Sequence, residues 1–134
     1  MLIPNSAVLD SRSFKEVFED HLLLSEKGDF ENDLRRNYSP KIVILMENKI
    51  YHGYEGIREL ALRLKEELLN GKFQNNIVLL DKEIGMLEWT AQSDENEILD
   101  GVDSYLFQNG KIIGQTIHYT ITKKMNKSEI EVAV

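Results

Sequence analysis

Two side chains in this sequence combine acid–base chemistry with an apolar setting. Asp103 lies in Gly101-Val102-Asp103-Ser104-Tyr105-Leu106-Phe107, a strand-like run in which Asp103, Tyr105 and Phe107 share one face. A carboxyl on an inward apolar face is desolvated, which raises its pKa and lets it donate a hydrogen bond or serve as acid or base. The competing reading makes Asp103 structural, neutralised by a hydrogen bond to Gln115 or a tyrosine; perturbed carboxyls occur in both settings. His21 stands on the face Phe14, Val17, Phe18, His21, Leu22, Ser25, whose spacing is helical. Its imidazole either shuttles a proton near neutral pH or is a satisfied core residue.

The rest of the composition narrows the chemistry. There is no cysteine, so thiolate nucleophiles, disulfides and Cys-ligated metals are excluded. The three histidines fall on separate elements without ligand spacing, and no glycine-rich phosphate loop occurs, so neither metal nor cofactor is expected. A net charge of −7 argues against a polyanion such as nucleic acid, and the one basic cluster, Lys123, Lys124 and Lys127, reads as a solvated end. No apolar run reaches the roughly 20 residues of a membrane span, and Met1-Leu2-Ile3-Pro4-Asn5 is unlike a signal peptide, so a cytoplasmic protein is expected. The length predicts one domain over residues 1–134, with a core from about 13 to 122.

The elements that must position these groups follow from the patterning. A first helix runs from about Ser13 to Lys27, opened by a Ser13/Glu16 capping box and closed by Gly28; a second covers Asp29 to about Asn37, before Pro40. Two strands, Ile42–Met46 and Lys49–His52, meet at a turn on Glu47-Asn48. A third helix spans Gly56–Leu69, and the remainder reads as strands at 76–80, 84–93, 98–107 and 111–122. Helices first and a meander after them predict an α+β domain, with one curved sheet carrying helices on one face. Ile130-Glu131-Val132-Ala133-Val134 either adds an edge strand, packs on a partner or stays unstructured.

The last hairpin decides which side chains point inward. Odd positions Ile113, Ile117, Tyr119 and Ile121 are apolar and even ones are small or polar, which favours a three-residue loop with Gly110 as a bulge over a two-residue Asn109-Gly110 turn. That register places Asp103, Tyr105, Ile113, Gln115, Ile117 and Tyr119 together toward the helices, and points His118 outward. Trp89, with Leu87 and Ala91 on its face, lines a pocket or fills the core.

The stretch His21-Leu22-Leu23-Leu24-Ser25-Glu26-Lys27-Gly28-Asp29-Phe30, the turn Tyr51-His52-Gly53-Tyr54-Glu55-Gly56-Ile57 and the strand pair Gly101 to Ile112 resemble the nuclear transport factor 2-like superfamily, and more narrowly its SnoaL-like branch. The resemblance spans about Ser13 to Thr122 and implies a strongly bent antiparallel or mixed sheet, closed by helices into a cone with an internal pocket. It implies dimerisation through the outer sheet face, where His118 would meet its symmetry mate. Relatives include polyketide cyclases, steroid isomerases, epoxide hydrolases, dehydratases and binding-only proteins, so the fold does not fix the activity. Asp103 matches the aspartate with which steroid isomerases help hold an enolate oxygen, and His21 stands where they place a tyrosine. Their proton-abstracting aspartate has only Glu47 as a counterpart, in a turn. The Asp-Arg-Asp set of the epoxide hydrolases is excluded, since no arginine follows Arg63, and Gln115 stands where SnoaL-type cyclases carry an acid. The implied ligand is a small, largely apolar molecule, with Asp103 and His21 as catalytic residues and Trp89, Tyr105, Gln115, Ile117, Tyr119 and Met46 around it. Proton transfer next to a carbonyl is the reaction that fits these groups. The alternative is a non-catalytic binding or dimeric scaffold protein of the same fold.

Overall fold

The computed structural model describes residues 6–125. Among the described residues, four helices, α1 (Ser6–Asp10), α2 (Phe14–Lys27), α3 (Phe30–Asn37) and α4 (Gly53–Glu67), accompany seven strands. The strands are β1 (Tyr38–Met46), β2 (Lys49–His52), β3 (Lys72–Asp81), β4 (Ile84–Gln92), β5 (Asn96–Gln108), β6 (Lys111–His118) and β7 (Thr122–Lys123). The main sheet has the order β2-β1-β6-β5-β4-β3, and β7 pairs with β5. Every pairing is antiparallel except β1 with β6, so the sheet is mixed.

The signals at both ends of α2 act as the sequence predicts. Ser13 accepts from the Glu16 amide while the Glu16 side chain accepts from the Ser13 amide, and Gly28 ends α2 at φ 73°. α2 buries Val17, Phe18 and His21 against the sheet, and α3 buries Asp33, Leu34 and Asn37. Arg12 ties the layers together: it donates to the carbonyls of Leu9, Arg36 and Gly110 and to Asn37 Oδ1. With Lys111, which also donates to the Arg36 carbonyl, it caps the C-terminal end of α3, where a cation is favoured.

Several elements differ from expectation, among them β3, which begins at Lys72 rather than at residue 76. α1, only five residues long, is too short to show a period. α4 begins at Gly53 rather than Gly56, because Gly53 takes φ +66° against the Pro40 carbonyl and so both turns the chain and starts the helix. β1 begins at Tyr38 and includes Pro40. Pro40 lies where the β1–β6 register shifts, between Tyr38 and Val43, and before pairing with β2 begins, so its missing N–H costs no ladder bond. The last predicted strand is broken into β6 and β7. The segment Ile130–Val134 lies outside the described residues.

The β5–β6 hairpin corrects the expected loop. Gln108 pairs with Lys111 and Phe107 with Ile112, which is a two-residue turn with both Asn109 and Gly110 at positive φ. A bulge at Ile113 then restores the parity, so that Tyr105 pairs with Gln115 and Asp103 with Ile117. Ile112, not Ile113, is buried at the turn end, whereas Gln115 is buried further along the strand. Further irregularities at Asn76 in β3 and between Ile98 and Gly101 in β5 bend the sheet around the helices. Val17, Phe18, Leu34, Ile42, Ile44, Phe107 and Ile112 belong to the buried core of the resulting cone, and a cavity opens beside that core.

Candidate functional site

The cavity beside the core has a volume of about 790 Å³ and is lined among others by His21, Asp33, Tyr38, Trp89, Asp103, Tyr105 and Gln115. α2 contributes His21, α3 Asp33, and neighbouring strands the rest. The apolar wall comes from Phe30, Ile57, Ala61, Leu64, Leu87 and Phe73, and Ser25, Glu26, Lys72, Gln74 and Asn75 line it as well. This volume lies within the usual range for small-molecule sites.

Asp103 is shielded from bulk solvent but faces the cavity, and side chains alone hold its carboxylate. Trp89 Nε1 donates to Oδ1 at 3.0 Å, while Gln115 Nε2 at 3.0 Å and the Tyr105 hydroxyl at 3.3 Å approach Oδ2. Burial pushes its pKa up, and the hydrogen bonds from Trp89 and Gln115 and the proximity of His21 pull the other way. Trp89 reaches it because the indole lies across Gly101, at a spot any Cβ would occupy.

His21 is anchored from both sides. Nδ1 lies 2.8 and 3.0 Å from the two Asp33 oxygens, and Nε2 lies 3.1 Å from the Tyr105 hydroxyl. Asn37 Nδ2 donates to Asp33 Oδ1 at 2.9 Å, so Asp33 is an acceptor on both fronts. Tyr38 donates to Gln115 Oε1 at 2.8 Å. Burial raises the phenols of Tyr38 and Tyr105 well above the usual tyrosine range, which keeps both protonated. No buried side-chain nitrogen or oxygen among the described residues lacks a hydrogen bond.

Of the residues singled out in the sequence, Asp103, His21, Trp89, Tyr105 and Gln115 line this cavity. Met46, Ile117 and Tyr119 do not. Met46 is buried in the core with Ile117 packed beside it, and the Tyr119 hydroxyl donates to Glu67 Oε1 at 2.6 Å while its ring packs on the indole of Trp89. Asp33 and Tyr38 escaped the sequence reading. Asp33 had a signal, since Phe30, Asp33, Leu34 and Asn37 fall on one helical face, and a carboxylate on a buried face calls for a partner. His52 and Glu47 are exposed and do not line the cavity, and Glu47 pairs with Arg63. Among the described residues no group of three or more histidine, aspartate or glutamate side chains is arranged to hold a metal ion.

No protein-family model and no curated protein matches the sequence. Solved structures do. An NTF-2 like protein of unknown function from Burkholderia xenovorans LB400 superposes with a TM-score of 0.67 at 14% identity, over 87% of this chain and 90% of that one. The chain has the nuclear transport factor 2-like fold. Within that fold, a putative SnoaL-like polyketide cyclase from Mesorhizobium loti is similar with a TM-score of 0.60 at 16% identity, over 81% of this chain and 100% of its own. TerC, co-crystallised with polyporic acid, is similar with a TM-score of 0.63 at 13% identity, over 78% and 89% of the two chains. At these identities the likeness concerns the nuclear transport factor 2-like fold alone. Among the described residues no helix is long and apolar enough to cross a membrane.

Proposed function

We propose that this protein binds a small, largely apolar molecule in the cone and transfers a proton next to its carbonyl or hydroxyl group, with Asp103 and His21 as the acid–base pair. The observation that carries the reading is that Asp103 and His21 line the same cavity of about 790 Å³ and are bridged there by one hydroxyl, that of Tyr105. Carboxyl, imidazole, phenol and amide groups gather at the polar part of the wall, and the apolar remainder suits a ring or chain. Neighbours of the same fold that are described as a putative polyketide cyclase and as co-crystallised with polyporic acid support a small-molecule ligand. The test uses a panel of cyclic and hydroxyaromatic ketones. Binding is followed by fluorescence of Trp89, the sole tryptophan, and proton transfer by deuterium exchange next to the ketone carbonyl. The reading expects binding with exchange that Asp103→Asn abolishes, and an undisturbed Trp89 signal across the panel sinks it.

A second reading, an interaction protein, draws on the outer sheet face. Val43, Leu45, Leu106, Ile84, Leu79 and Ile77 are exposed there across neighbouring strands. An isologous dimer through this face would bury them and bring two copies of exposed His118, which lies 3.3 Å from Asp100, close together.

A further inference from the structure

The hydrogen-bond count at Tyr105 goes beyond naming an acid and a base. Asp33 accepts from Asn37, and both of its oxygens face His21 Nδ1, so Nδ1 carries a hydrogen in either charge state of the ring. The state of His21 is therefore written on Nε2, which faces the Tyr105 hydroxyl at 3.1 Å. That hydroxyl also faces Asp103 Oδ2 at 3.3 Å, and it owns one hydrogen for two contacts. The second hydrogen must come from a neighbour, either His21 Nε2–H or Asp103 Oδ2–H.

We propose that Tyr105 joins His21 and Asp103 into one acid–base unit that holds a single mobile proton, with Asp33 as the positioning residue that fixes the imidazole. In one form Asp103 is neutral and donates to the Tyr105 oxygen, and Tyr105 donates to neutral His21. In the other the Asp103 proton has passed to Tyr105 while the Tyr105 proton has passed to Nε2, leaving a carboxylate and an imidazolium. Two O–H bonds break, one O–H and one N–H bond form, and the phenol is neutral before and after. No proton enters or leaves the unit, so its net charge is the same in both forms.

Among the described residues, few titratable groups face the unit. Asp33 reaches it from α3, Tyr38 packs edge-on to the His21 ring from β1, and Glu26 and Lys72 line the same cavity. Burial, which penalises both charges, favours the neutral form, whereas the donors Trp89 and Gln115 favour the carboxylate. The two forms are thereby brought closer in energy than either pull alone would leave them. The consequence deepens the function proposed above, and rests on it: Asp103 gives a proton to the ligand from the neutral form or takes one as the carboxylate of the other form, with the compensating charge held on His21 rather than supplied by solvent. The ligand class is then a carbonyl compound that loses a proton at one atom and gains one at another, as in enolisation, isomerisation or dehydration.

The test is made on the ligand-free protein, so it stands apart from whether any ketone binds. The Asp103 carboxyl carbon and His21 Nε2 are followed by NMR as pH is varied. A shared proton makes both nuclei report the same macroscopic midpoints, each moving through only part of its range at any one of them. Tyr105→Phe should split them into separate midpoints about one unit or more apart. Asp103→Asn, which does not depend on Tyr105→Phe folding, should let His21 run through the full imidazole–imidazolium range. Separate midpoints in the wild type, coincident midpoints that survive Tyr105→Phe, or an unchanged His21 amplitude in Asp103→Asn overturn the proposal.

Discussion

The Tyr38 hydroxyl donates to Gln115 Oε1 at 2.8 Å, and this one bond decides which way the Gln115 amide points. With its oxygen occupied, Gln115 presents Nε2 to Asp103 Oδ2 at 3.0 Å. A buried tyrosine two hydrogen bonds away thus helps set the chemistry of the Asp103 carboxyl. Tyr38→Phe leaves the Gln115 oxygen without its donor, at a cost of about 1–3 kcal/mol, and frees the amide to turn. Asp103 then loses a donor that favours its charged form, and its titration in a carboxyl-carbon NMR experiment should move upward. An Asp103 midpoint that stays put or falls in Tyr38→Phe would remove Gln115 from the set of groups that tune it.

Stability should depend on pH through Asp103 in a definite direction. Its folded pKa is raised above the unfolded value of about 3.9. The neutral carboxyl therefore favours folding: that contribution is complete below about pH 3.9 and is lost as pH rises through the folded value. The amide introduced by Asp103→Asn cannot titrate, so the Tm of this variant minus that of the wild type should climb across this window and level off above it. A difference that is flat with pH, or that declines, contradicts the raised pKa.

Gly101 is a further point at which packing and chemistry meet. A methyl group there collides with the Trp89 ring and the Trp89 carbonyl oxygen, and the ring is held in place by its bond to Asp103. Gly101→Ala should cost about 1–3 kcal/mol by overcrowding and shift Trp89 emission to the red as the indole moves. Unchanged emission and unchanged urea midpoint would show that the ring does not need the glycine.

Association is checked on the other side of the sheet. The dimer reading expects two copies by equilibrium sedimentation at micromolar concentration, and a monomer after Leu106→Lys. Leu106 is 42% exposed, with Gly114 and then Val43 as its cross-strand neighbours, so a lysine there puts charge in the middle of the apolar face without touching the cavity. A wild type that sediments as a monomer removes the outer-face interface.

What could be read from the sequence follows the reach of each signal. The Ser13/Glu16 box, the Gly28 stop and the meander of strands are local, and they fixed the order of elements. The facing of Asp103, Tyr105 and Gln115 was legible too, although for a different cause: the polar–apolar alternation after Ile113 records the parity, while the bulge that creates it leaves no mark of its own. Alternation says which side a residue faces and not how far along the cone it lies, so Ile117 and Tyr119 were grouped with Gln115 although neither lines the cavity. Asp33 escaped because a charge on a short helix reads as solvated until its partner is known, and that partner, His21, sits on the preceding helix.

The network around the cavity is made of two local pieces. Asn37, Asp33 and His21 are joined within the α2–α3 pair, whereas Tyr105, Asp103, Trp89, Gln115 and Tyr38 are joined within the sheet. Of these bonds, only His21 to Tyr105 crosses between the layers, and beside it Phe18 wedges its ring against Tyr105 and Phe107 at 5.0 and 5.4 Å. The seam is therefore a mechanical joint. A small lift of the α2–α3 pair off the sheet would uncouple the imidazole from the carboxyl while leaving every other bond of the network in place, and the packing of Phe18 on Tyr105 and Phe107 opposes it.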